Sequence, residues 1–386
     1  MVQRLFEKKI VMRIAIDMVG TNIGSGTKTY NLNFCNYLNK IISKDDIYVF
    51  VSSNYKKEIK NHNNHLIKYI LLPNFLSITI LRFLWMQFIL PIHLKLLKID
   101  CLFAPMNFGP ILLRLFNIKL ILALHSNLPW VLFNMMPGNI LRNMFTKTVM
   151  ELSIKSCDKL IVDSNFAKDE IVSLLKVNKN KIHSIYLGVD KKYLDNKNNE
   201  NFIKNFIYED YILSVISCVR YHNIIKLLEA FKLFKKENKI KLKFLLVLQI
   251  LDKNYYFEIK EYINQNYFEK DVIIFDRLDN KYLINLYRKA KFYIFSSYCE
   301  VFGLTSLEAM SEGCPVIISN KSALLEINSD AALYFDPDNE VDIKNQMNKV
   351  FFKKKLSNEL VNRGSIHFKK FTWENTVKKT LEVILN

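Results

Sequence analysis

The chain has 386 residues, half of them hydrophobic and 13% aromatic, which excludes a disordered or low-complexity polypeptide and leaves room for two sizeable cores. Lys and Arg number 55 against 37 Asp and Glu, a formal charge of +18, so an anionic partner is expected: nucleic acid, a membrane surface or a phosphorylated small molecule. Six cysteines (Cys35, Cys101, Cys157, Cys218, Cys299 and Cys314) form no C-x-x-C pair and have no His at zinc spacing, which sets aside a disulfide framework and a structural zinc and fits a reducing cytoplasm.

Along the chain, Glu7, Lys8 and Lys9 interrupt the N-terminal stretch, so no secretory signal is read there, and Met12 is an alternative start. Short β-branched runs at 11–18, 47–51, 66–72, 120–124, 160–163 and 182–187 alternate with segments of helical period, the pattern of a parallel α/β sheet. Residues 56–119 hold nine basic and two acidic side chains among Phe, Leu, Ile and Trp85. That mixture suits an anionic lipid surface better than a nucleic-acid groove, and no nucleic-acid-binding motif accompanies it. An AT-rich genome, which inflates Lys, Asn and Ile, is the alternative explanation.

Within that region, residues 75–97 are long and apolar but carry Arg82, Gln87, Pro91, His93 and Lys95. Each Arg or Lys at a bilayer centre costs about 2.5–3.5 kcal/mol, and Pro91 is expected to break the helix, so the segment is read as non-spanning. It is expected either to attach peripherally or to pack in a core.

Residues 191–206 are Asn- and Lys-rich without an apolar face and read as a linker. A second alternating series follows, with strands expected at 211–215, 244–247, 272–275, 292–296, 316–318 and 332–335. Between them Ile224, Leu227, Leu228, Phe231 and Phe234 fall on one helical face, as do Leu283, Leu286, Tyr287 and Ala290. Two doubly wound domains are expected, at 12–195 and 210–365, with 366–386 as a terminal helical segment. Anionic ligands bind such sheets where strand C-termini meet helix N-termini.

The strongest chemical signal is the run from Ser296 to Ile317, SSYCEVFGLTSLEAMSEGCPVI. Gly303 lets the backbone approach a ligand, the first turn after it offers N–H groups to an anion, and Glu308 can accept from vicinal hydroxyls, as on a ribose. Taken alone, Glu300 and Glu308 are as readily a loop charge and a helix residue. The one D-x-D match, Asp336-Pro337-Asp338, reads as a surface turn rather than a metal site.

These residues, together with Gly24-Ser25-Gly26, ALHSNLP around His125, DSNFAKDEI, KIHSIYLGVD, LLEAF and the tail FTWENTVKKTLEVI, occur in an order that resembles retaining glycosyltransferases of family 4, mannosyltransferase-like members in particular. The resemblance implies the GT-B fold, two facing Rossmann-like parallel-sheet domains with a C-terminal helix crossing back to the first. It implies that Glu308 binds the ribose of a nucleotide-sugar donor, that Glu300 contacts the donor sugar, and that Gly303, Leu304 and Thr305 receive the diphosphate. It places His125 beside the reacting sugar and Gly24, Ser25 and Gly26 near the phosphates. It further implies a metal-independent transferase without a cofactor, building a surface polysaccharide such as O-antigen or capsule from GDP-mannose or a UDP-sugar, at the cytoplasmic face of the membrane, on a glycan or polyprenyl-linked acceptor.

One departure accompanies these matches. Where the family usually has an Arg and, five residues on, a Lys that reach the leaving diphosphate, this chain has Ser217 and His222. Arg220 lies between them and can fork onto phosphate oxygens, and a protonated His222 can add charge. A catalytically degenerate binding or scaffolding subunit is the alternative reading.

Overall fold

The computed structural model describes residues 12–20, 25–42, 46–55, 67–189 and 210–386; Gly24 and the linker at 191–206 lie outside the described residues. Two compact units result. Unit 1 combines residues up to Ser126 with Met144–Gly188 and Trp373–Asn386, and unit 2 combines Asn127–Asn143 with Val189–Thr372.

Unit 1 is a seven-stranded parallel sheet ordered β3-β2-β1-β4-β5-β6-β7. Its strands are β1 (Ile14–Asp17), β2 (Ile47–Ser52), β3 (Ile67–Leu72), β4 (Cys101–Ala104), β5 (Lys119–Leu124), β6 (Lys159–Val162) and β7 (Ile182–Ser184). Central strands such as β5, buried from Leu120 to Leu124, are apolar runs without alternation because helices cover both faces. The sequence reading missed β4: its four residues, CLFA, contain no β-branched side chain and follow Asp100, so propensity gives no signal, while the sheet needs a strand between β1 and β5.

The helices of unit 1 are α1 (Ser25–Ile41), α2 (Thr79–Leu96), most of α3 (Ile140–Ser156), α4 (Asn165–Leu175) and, from the far end of the chain, α11 (Trp373–Leu385). Trp373, Val377, Leu381 and Ile384 form a buried stripe on α11 that packs with Phe34 and Leu38 of α1 in one core. In α2 the expected break at Pro91 does not occur. A π turn at Trp85–Ile89 precedes Leu90–Leu96, so Pro91, which lacks an N–H, falls in the first turn of the regular helix that follows.

Unit 2 is a six-stranded parallel sheet ordered β10-β9-β8-β11-β12-β13. It comprises β8 (Tyr211–Cys218), β9 (Lys243–Ile250), β10 (Val272–Asp276), β11 (Tyr293–Phe295), β12 (Val316–Ser319) and β13 (Leu333–Phe335). Its longer helices are α5 (Ile224–Asn238), α6 (Lys253–Gln265), α7 (Asn280–Lys289), α8 (Leu304–Ser311), α9 (Glu340–Phe352) and α10 (Lys354–His367). The expected face of α5 is wholly buried from Ile224 to Phe234. The chain winds to one side of β8 through β9 and to the other through β11, so the β8–β11 junction is the switch point at which ligands bind in such sheets.

Candidate functional site

The residues singled out in unit 2 collect at that switch point. Ser217 lies near the end of β8, His222 just beyond it, and Glu300 and Gly303 follow β11. Gly303 holds φ at +86° and caps α8, and a Cβ there would lie 2.5 Å from Leu324 Cδ2, so only glycine fits. Leu304 opens the helix. Thr305 Oγ1 accepts from the Tyr293 hydroxyl at 2.7 Å, and the buried Glu308 accepts from the Tyr287 hydroxyl at 3.3 Å. The sequence reading did not select these two tyrosines as site residues. Both are fully buried behind the helix, where burial holds the Tyr293 hydroxyl protonated and fit to donate.

His222 and Glu300 form a pair that no sequence spacing signals. The Ser217 carbonyl lies 2.6 Å from His222 Nδ1, and a carbonyl only accepts, so Nδ1 carries a proton. Nε2 then faces Glu300 Oε1 at 3.1 Å. A carboxylate also only accepts, so the contact is a hydrogen bond in the form in which Nε2 carries a proton. The backbone fixes the pair: Ser296 Oγ donates to the His222 carbonyl at 2.6 Å, and the Glu300 N–H donates to Ser322 Oγ at 2.9 Å.

Arg220 is placed differently from the expectation. Its guanidinium forks onto Glu258 at 2.9 and 2.5 Å and lies over the Tyr255 ring, and the pairing lowers the Glu258 carboxyl and raises the guanidinium. Its charge is therefore already matched by a carboxylate. It lines a cavity of about 400 Å³ with Asp252, Lys253, Asn134 and Met136, the last two from the Asn127–Asn143 part of unit 2. Asp336-Pro337-Asp338 is a turn, closed by the Asp338 N–H donating to Asp336 Oδ1 at 3.2 Å.

In unit 1, His125 follows β5 and Asp163 follows β6, so the adjacent strands bring the two together. His125 Nδ1 lies 2.9 and 3.1 Å from the two oxygens of the buried Asp163, and the backbone N–H of His125 donates to Asn107 Oδ1 at 2.6 Å. The imidazole packs against Tyr30 of α1, ring centroids 4.4 Å apart. Nε2 is buried and has no hydrogen-bond partner among the described residues. Asp163 escaped selection, although a polar residue ending each of two neighbouring apolar strands could have flagged it. Ser25 begins α1, and Gly26 sits in its first turn with open space where a Cβ would be.

Residues 24–193 match Glycosyltransferase Family 4 and residues 195–367 match Glycosyl transferases group 1; the chain belongs to this glycosyltransferase family. It is similar to an O-antigen chain mannosyltransferase of Salmonella typhimurium, 23% identical over 60% of this chain and 64% of the relative. It is also similar to O-antigen chain mannosyltransferase B of Escherichia coli, 26% identical over 59% and 61%. The chain thus spans about six-tenths of the length of each of these relatives. Among solved structures it resembles a glycosyltransferase from Rickettsia africae (TM-score 0.74, 18% identity, 97% of each chain) and sucrose-phosphate synthase from Thermosynechococcus elongatus (0.76, 17%, 96% and 98%). At these identities the likeness shows the fold, which is GT-B.

Proposed function

We propose that the chain is a retaining, metal-independent glycosyltransferase that moves a sugar from a nucleoside-diphosphate sugar to a glycan or polyprenyl-linked acceptor. It would act in bacterial surface-polysaccharide synthesis at the inner face of the cytoplasmic membrane, without a cofactor. GDP-mannose is the first donor proposed, since relatives carry the name mannosyltransferase, and a UDP-sugar is the second.

The observation that carries this reading is the arrangement after β11: Glu300, the Gly303 turn, Thr305 and Glu308 on one short stretch, with the His222–Glu300 contact at the switch point. Glu308 would accept from the ribose hydroxyls. Gly303 and the first N–H groups of α8 would receive the diphosphate and offset the charge that grows as the nucleotide leaves. His125, whose Nε2 has no partner among the described residues, is the residue proposed to contact the reacting sugar. Neither glutamate is assigned as a nucleophile. Displacement on the sugar's own face, with the leaving phosphate taking the acceptor's proton, is the route proposed for retention.

A thermal-shift panel of GDP, UDP and ADP and their sugar conjugates tests the reading. Nucleotide at about 100 times its dissociation constant should stabilise the wild type by roughly 2.7 kcal/mol and leave Glu308→Ala unchanged. Absence of any shift would favour the second reading, a non-catalytic subunit, which the engagement of Arg220 by Glu258 supports. Ser217→Arg with His222→Lys should then leave turnover at background, whereas in an enzyme limited by weak phosphate contacts the same change should raise it.

A further inference from the structure

Helix α2 is apolar on two opposite faces. Arg82, Met86, Leu90 and Leu94 form an inner row, each 5% exposed or less. Ile80, Leu84, Phe88, Ile92 and Leu96 form an outer row, exposed by 46 to 75%. Steps of four residues drift by about 40° each around a regular α-helix. The wider π turn at Trp85–Ile89 takes back part of that drift and keeps both rows aligned. A helix on the surface of a soluble unit ordinarily turns polar groups outward, and a continuous apolar row marks an interaction site.

We propose that the outer row of α2 is a docking surface that lies in the plane of an anionic membrane, with the helix parallel to the bilayer. Charge identifies the occupant. No Asp or Glu occurs between Glu58 and Asp100, and the exposed Lys95 and Lys98 flank the last turn of the row, where lipid phosphates would lie. Leu115, on the short helical turn Leu113–Phe116 that packs beside the C-terminal half of α2, extends the apolar area, while its neighbour Arg114 is ion-paired with Asp158. The helix passes the length and hydropathy criteria for a membrane span, but its inner row is committed to unit 1. Arg82 is ion-paired with the buried Asp17 at the end of β1, and its Nε donates to the Val19 carbonyl at 3.0 Å. Withdrawing that pair into lipid would break it, so the helix lies on the membrane and does not cross it. This inference stands apart from the proposed transfer chemistry, because its readout is binding to lipid.

The test is sedimentation of the full chain with phosphatidylcholine vesicles, with and without phosphatidylglycerol. The wild type should pellet with the anionic vesicles and be released by salt. Phe88→Glu with Ile92→Glu, both on the exposed row, should lower the bound fraction at least tenfold at unchanged melting temperature. Lys95→Glu with Lys98→Glu should abolish the preference for anionic lipid. Should the first double variant not fold, Leu96→Gln serves in its place with a smaller loss. A wild type that stays in the supernatant, or a Phe88→Glu, Ile92→Glu protein that pellets unchanged, overturns the proposal. So does a wild type that is dimeric by sedimentation equilibrium, becomes monomeric in that variant and ignores vesicles, since the row would then seat a second copy.

Discussion

Among the described residues two histidine–carboxylate pairs occur, one in each unit, and they meet the carboxylate through opposite ring nitrogens. In unit 1, Nδ1 of His125 faces Asp163 and Nε2 is left bare. In unit 2, Nδ1 of His222 is committed to a backbone carbonyl and Nε2 faces Glu300. The same two residue types therefore yield different chemistry. With Asp163 accepting at Nδ1, His125 keeps its other ring nitrogen, Nε2, without a partner among the described residues. His222 has both ring nitrogens engaged and serves to hold Glu300 in place. The ring nitrogen that meets the carboxylate, Nδ1 in His125 and Nε2 in His222, leaves the other nitrogen without a partner in the first case and against a backbone carbonyl in the second.

The difference can be broken first in unit 1. Asp163→Asn should turn an amide N–H toward His125 Nδ1, move the ring proton to Nε2 and lower kcat by roughly 10²–10³-fold with little change in melting temperature. Steady-state kinetics with an unchanged KM for donor would sustain the contrast, and an unchanged kcat would remove it. In unit 2, Gly303→Ala forces a Cβ against Leu324 in a left-handed backbone and should cost about 2–4 kcal/mol in urea unfolding while weakening nucleotide binding. The smallest effect concerns the His222–Glu300 contact. His222→Gln should release Glu300 from its partner at 3.1 Å and weaken donor binding about tenfold, and a donor titration with an unchanged dissociation constant would remove the contact from the site.

Most of the sheet architecture was legible because parallel strands buried on both faces are written as apolar runs, from β1 to β13. Strand β4 was not, since sheet position rather than composition makes it a strand. The continuity of α2 through Pro91 was hidden because it depends on a π turn one step earlier, which no residue type announces. The Glu300–Glu308 stretch was visible because its parts are neighbours in sequence. The partners that set its chemistry were not: His222 meets Glu300 across 78 positions, and Arg220 meets Glu258 across 38. A basic residue read alone suggests a free charge, and only the fold shows that Arg220 already holds a carboxylate.

The helix α11 has a consequence for how the protein is made. Its Trp373, Val377, Leu381 and Ile384 complete the core of unit 1, yet they are synthesised after both sheets. During translation the first unit must wait, with part of α1 uncovered, while the whole of the second emerges. The unit whose strands leave the ribosome first is thus the one that can finish folding last, and the cell must shield its open core for nearly the full length of synthesis.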